Sequence, residues 1–173
     1  MACLGGFSIL CTFYHLCHNR RYDTRDEIVD YIPKYFKPYE LLPKKVYWKL
    51  EHAGWSEVRM WSLFDPRTLH AGDKIRERYG KMVANTWYWG GVHQYRGFRD
   101  QWCRIGALWS QHRYGRAEDL VPMEVTVEEI WEDIEAGNNF LYITCIEKSS
   151  SKKKVTWLHH DERNFKGLLI VYP

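Results

Sequence analysis

From Tyr31 onward, apolar positions recur at helical spacing in three stretches, each framed by start and stop residues of its own. Pro43 opens a helical stretch through Ala53 with Val46 and Leu50 at i, i+4 on its inward face, and Gly54 closes it. Asp65-Pro66 is a helix cap followed by proline at the first helical position; that helix is predicted to run to Tyr79, end at Gly80 and carry a sparse stripe of Leu69, Ile75 and Tyr79. Thr126 with Glu129 three residues on makes a capping box, so Val127 to Ala136 reads as a third helix, with Gly137 just beyond it. Past this point the pattern changes period. Phe140 to Ile146 is rich in aromatic and β-branched residues, the Ser/Lys stretch 149–154 turns the chain, and Val155 to His160 continues as the second strand of a hairpin. A period of two puts Val155, Trp157, His159 and Asp161 on one face and Thr156, Leu158 and His160 on the other. The two adjacent histidines must therefore point in opposite directions. Helices first and strands later predict an α+β fold, with helices packed on a small antiparallel sheet, rather than alternating βαβ units.

A length of 173 residues is about one domain's worth, and 45% hydrophobic against 27% charged residues is globular composition, which disfavours disorder and coiled coil. The 28 aromatic residues (9 Trp, 12 Tyr, 7 Phe) supply flat apolar surface either for a core or for a substrate cleft. With 25 basic against 22 acidic residues, the net charge of +3 is too balanced for the footprint of a nucleic-acid binder. Five cysteines without a CxxC pair signal neither a disulfide framework nor a four-cysteine zinc site, so reduced thiols are expected. The apolar run Leu4 to Cys17 has its positive charges after it, at Arg20 and Arg21, the reverse of a signal peptide, and it falls short of the ~20 residues that span a bilayer. Residues 1–30 therefore read as an apolar N-terminal extension and 31–173 as the domain. The group Cys11, His15, Cys17 and His18 matches no standard zinc spacing.

The most informative segment is Ser110 to Asp119. Gly115 lets the backbone turn, and a strand after it puts Ala117 and Asp119 on one face, so that His112 before the turn and Asp119 after it approach one ion. A third ligand from another strand would leave the fourth tetrahedral position for water, the form of a catalytic zinc site, and His159 is the candidate. On chemistry alone, a histidine beside an aspartate is more often a simple hydrogen-bonded pair. The spacing Ser-x-His-x-x-Gly-x-Ala-x-Asp, carried by Ser110, His112, Gly115, Ala117 and Asp119, resembles the signature of the D-alanyl-D-alanine carboxypeptidase-like zinc peptidases. Trp157-Leu158-His159-His160-Asp161 is similar to the aromatic-x-His-x-Asp strand of many phage members. Asn85 to Gly91 with Gly97-Phe98-Arg99, and Tyr35 to Pro38, look like the family's upstream segments, so the resemblance covers roughly residues 31–173.

That resemblance implies zinc-dependent hydrolysis of an amide in peptidoglycan stem or cross-bridge peptides, as by phage endolysins, virion-borne wall enzymes or bacterial carboxypeptidases. It matches His112, Asp119 and His159 to the zinc ligands and Arg99 to an arginine near the scissile carbonyl. One branch carries an acidic residue three positions before the last histidine ligand, where this chain has Thr156. Asp161, on the same strand face as His159, is then the expected general base, with His160 next in line. The alternative is that Asp161 orients the metal-binding histidine. Trp87, Tyr88 and Trp89 are either groove lining or core, and His93 reads as a surface histidine. Gln111 is placed to meet substrate or only the local turn, while Arg113 and Arg116 either attract peptide carboxylates or are solvated. The expected partner is a wall peptide, with no nucleic acid or membrane, and a monomer unless virion-associated. A non-catalytic virion or wall-binding protein retaining the fold is the competing expectation.

Overall fold

The structure is a computed structural model that describes residues 30–138, 140 and 142–173. Residues 1–29, with the apolar run and the Cys11/His15/Cys17/His18 group, lie outside the described residues. Among the described residues five α-helices form: α1 (Pro38–Leu41), α2 (Lys44–His52), α3 (Glu57–Trp61), α4 (Pro66–Tyr79) and α5 (Val127–Glu135). The three predicted helices, α2, α4 and α5, end within a residue or so of their capping signals. Asp65 accepts the Arg67 amide at the start of α4, and Gly80 (φ 79°) ends it. Thr126 and Glu129 make the reciprocal pair of hydrogen bonds that starts α5. α1 and α3 span only four and five residues, too short for an apolar period to register.

Five strands, β1 (Met82–Val83), β2 (Ala117–Pro122), β3 (Cys145–Glu147), β4 (Leu158–Asp161) and β5 (Leu169–Val171), form one sheet in the order β1-β2-β4-β3-β5. The fold is α+β as predicted, but the sheet is mixed: β3 and β5 run parallel, and the other pairs are antiparallel. The reason is edge occupancy. β2 and β3 take both edges of β4, so the chain after β4 reverses and pairs with the free edge of β3.

The β3/β4 hairpin forms with Cys145 opposite Asp161 and Glu147 opposite His159. It is shorter than predicted, because β3 begins only at Cys145. The preceding aromatic residues are spent on α4 instead: Phe140 stacks on Tyr79 at 6.3 Å and Tyr142 meets His70 edge-on at 5.2 Å.

The ladder β2/β4 has two unlike faces. Glu118, Leu120, Leu158 and His160 face the core, where Leu69 and Ile75 of α4 and Ile130 of α5 are also buried. Asp119 and His159 occupy the other face, against the irregular chain that joins β1 to β2. Cys103 and Cys145 are buried free thiols. Among the described residues, no helix is long and apolar enough to cross a membrane.

Candidate metal centre

The segment before β2 makes a 3₁₀ turn at Gln111–Tyr114 and then a left-handed residue, Gly115 (φ 66°). A Cβ there would lie 2.2 Å from the Leu63 carbonyl oxygen, so both backbone angle and space demand glycine. The turn delivers His112 in front of β2, and the sheet register puts His159 directly opposite Asp119. Asp119 Oδ1 lies 2.7 Å from His159 Nδ1 and 3.3 Å from His112 Nε2. His112 Nδ1 donates to the Gly97 carbonyl at 2.7 Å, which fixes the tautomer and leaves a lone pair on Nε2. That Nε2 is buried and makes no hydrogen bond. Gly97 can support the histidine this closely because its backbone lies against Leu41, whose carbonyl oxygen would be 2.3 Å from any Cβ.

His112, Asp119 and His159 thus offer ligand atoms that all lie within 4.8 Å of one another, a buried group that could bind a metal ion. The donor set fits such an ion: two imidazoles, one carboxylate, and an otherwise costly orphaned nitrogen aimed at the shared oxygen.

Charge around the group is strongly organised. Burial pushes His112 toward the neutral form, which is the ligating one. Burial alone would raise Asp119, but His112 and His159 beside it hold its carboxyl well below the usual carboxylate range. His159 is desolvated too, yet its hydrogen bonds to Asp119 and Asp161 outweigh this and lift it to about 9. Asp119 Oδ2 accepts from Arg99 Nη2 at 2.9 Å, and Arg99 Nε donates to the Tyr95 carbonyl. His159 Nε2 faces Asp161 Oδ2 at 3.2 Å. Asp161 is fully buried and forked by Arg163, whose Nε donates to Oδ1 at 2.7 Å and whose Nη2 donates to Oδ2. Despite its burial, Asp161 is held below the usual carboxylate range by Arg163 and His159.

The structure therefore brings His112, Asp119, His159, Arg99 and Asp161 together. His160 is not among them: it points to the opposite face, between Glu118 and Glu162. Thr156 is exposed. Trp87 is buried, while Tyr88 and Trp89 are exposed, with Tyr88 stacked on Tyr39 at 4.0 Å. His93 is exposed, and its backbone rather than its ring is engaged, by Thr86 and Trp87. Arg113 donates to the carbonyls of Asp100, Gln101 and Cys103, and Arg116 pairs with Asp65, so both serve the local chain. Gln111 receives the Arg116 amide on its carbonyl, within the local turn. The residue missed from sequence is Arg163; its signal was its place two positions beyond Asp161, in step with the face that carries His159.

No family model matches the chain, and neither a curated protein nor a solved structure matches it.

Proposed function

We propose that the chain is a zinc-dependent hydrolase of peptide bonds in bacterial peptidoglycan, a carboxypeptidase or endopeptidase of phage type. The observation that carries this is the buried His112–Asp119–His159 group with its unsatisfied His112 nitrogen, formed by the residues of the Ser-x-His-x-x-Gly-x-Ala-x-Asp pattern and of the later aromatic-x-His-x-Asp strand. Two imidazoles and a carboxylate are a donor set suited to zinc, and three protein ligands leave a position for water. Zinc bound there would supply a Lewis acid and a water of lowered pKa, ~7 in comparable sites.

The chain's own residues divide the remaining work. Asp119 offers Oδ1 as ligand while Arg99 holds Oδ2. Among the described residues Arg99 Nη1 makes no hydrogen bond, and we assign it to the negative charge that develops on the substrate carbonyl oxygen. For Asp161 the geometry favours the orienting role over that of base. His159 Nε2 donates to it, Arg163 occupies both of its oxygens, and accepting a proton would mean giving up that ion pair.

The saturation of Asp161 also favours a second reading, a virion or wall-binding protein that retains the fold and the metal without turnover. Mass spectrometry of purified peptidoglycan fragments, incubated with the zinc-loaded protein with and without chelator, decides between them. The hydrolase reading expects trimmed or split peptides that disappear with chelator; intact fragments in both arms overturn it.

A further inference from the structure

We propose that Glu118, His160 and Glu162, with Thr68, form a buried register lock that holds Asp119 opposite His159 and so sets metal affinity from the far side of the ladder. The inference rests on the metal centre and not on peptide hydrolysis.

The two rungs are neighbours. Asp119 pairs with His159 and Glu118 with His160, and strand alternation sends the second pair to the core face. There His160 Nδ1 lies 3.1 Å from Glu162 Oε1, and Nε2 lies 3.4 Å from Glu118 Oε2. Each ring nitrogen faces a carboxyl group, so the imidazole bridges the two glutamate side chains, although Nε2 is not hydrogen-bonded. All three side chains are at most 2% exposed. Thr68 of α4 donates to the other oxygen of Glu162, and Gly72 of α4 comes so close that a Cβ there would lie 2.3 Å from Glu118 Oε2.

Stability is a poor reason for such a cluster. Burying such polar groups is costly, and apolar residues of similar volume often do as well or better. Glu118 shows the cost directly, since neither of its oxygens makes a well-aligned hydrogen bond. Apolar residues, however, do not specify register. The next rung, Leu120 opposite Leu158, would tolerate a slide that kept both leucines buried. β4 is only four residues long, and a slip of one residue would turn its metal-face residues to the core. With the lock present, any slip separates His160 from Glu118 and leaves both buried polar groups without a facing partner. Correct register is what brings His159 within 2.7 Å of Asp119.

The test replaces the cluster by apolar residues in the full chain, E118L/H160L/E162L, and measures thermal stability, zinc affinity by chelator competition and the visible spectrum of the cobalt-loaded form. The expected result is a folded protein at least as stable as wild type that binds zinc at least 10-fold more weakly, with a broadened cobalt spectrum. Wild-type zinc affinity and spectrum in that variant overturn the proposal. Should the triple variant not fold, His160→Gln and Leu120→Ala decide, compared at matched folded fraction. A loss of zinc affinity confined to His160→Gln supports the lock; equal losses in both reduce the cluster to ordinary packing and overturn it.

Discussion

Asp119–His159 and Glu118–His160 are nearly the same chemical pair, a carboxylate and an imidazole on adjacent rungs of one ladder, yet their surroundings give them different capacities. The core-face pair is covered but loose: α4 packs over it and a second glutamate takes Nδ1 of the ring, while His160 Nε2 and both Glu118 oxygens are buried without a hydrogen bond; facing Glu118 and Glu162 lifts the imidazole to about 10 against its desolvation. The outer pair is incomplete. A third group, His112, points an unpaired nitrogen at the same oxygen that His159 uses, and Arg99 holds the oxygen left over. The capacity to bind metal thus comes from the loop that brings His112 and Arg99 to one rung, since a His–carboxylate pair alone is present twice.

The largest effect that could break this comparison is at His159. His159→Ala should abolish stoichiometric zinc, whereas Leu substitution across the core-face cluster should weaken binding without abolishing it; elemental analysis after reconstitution reads both, and the reverse order would mean that the register is off by one. Next comes Arg99→Ala, which on the hydrolase reading slows turnover by ~100-fold or more while zinc content holds. Unchanged turnover at full occupancy would remove Arg99 from the mechanism.

On the zinc-hydrolase reading, Asp161→Asn should weaken zinc affinity by about 10- to 100-fold and regain activity in excess zinc. Activity that stays lost at saturating zinc would instead make Asp161 a proton acceptor. The smallest effect is a proton count. In the metal-free chain His159, lifted to about 9, is cationic at pH 7, so zinc uptake there should release about one proton, measured by calorimetry in buffers of different ionisation enthalpy. The same raised values have a folding consequence with a definite sign. An imidazolium favoured by the fold stabilises it fully below the ordinary value of ~6.5, and that contribution is lost as pH rises through about 9 for His159 and about 10 for His160. The metal-free melting temperature should accordingly fall between pH 7 and 10.

Legibility in the sequence followed the same division. α2, α4 and α5 could be read because each carries local punctuation, a cap or proline at the start and a glycine near the end. The period of two along β4 separated His159 from His160 without any knowledge of the partner strand. The parallel placement of β5 could not be read, because it depends on which sheet edges were already occupied. Glu118 and Glu162 were also hidden: a glutamate beside an aspartate or an arginine looks solvated, and only tertiary packing buries it. Arg99 was legible as a residue but not in its geometry, since its pairing with Asp119 spans an irregular loop with no repeating pattern.

Gly115 has a consequence for kinetics. Its carbonyl accepts the amide of Asp65 at 2.9 Å, and Asp65 caps α4, so the turn that carries His112 and the first turn of α4 share one joint. That amide can exchange its hydrogen with solvent only when the joint opens. Metal held by His112 should therefore slow deuterium uptake at Asp65, making the start of α4 a built-in reporter of occupancy at a centre to which it contributes no ligand.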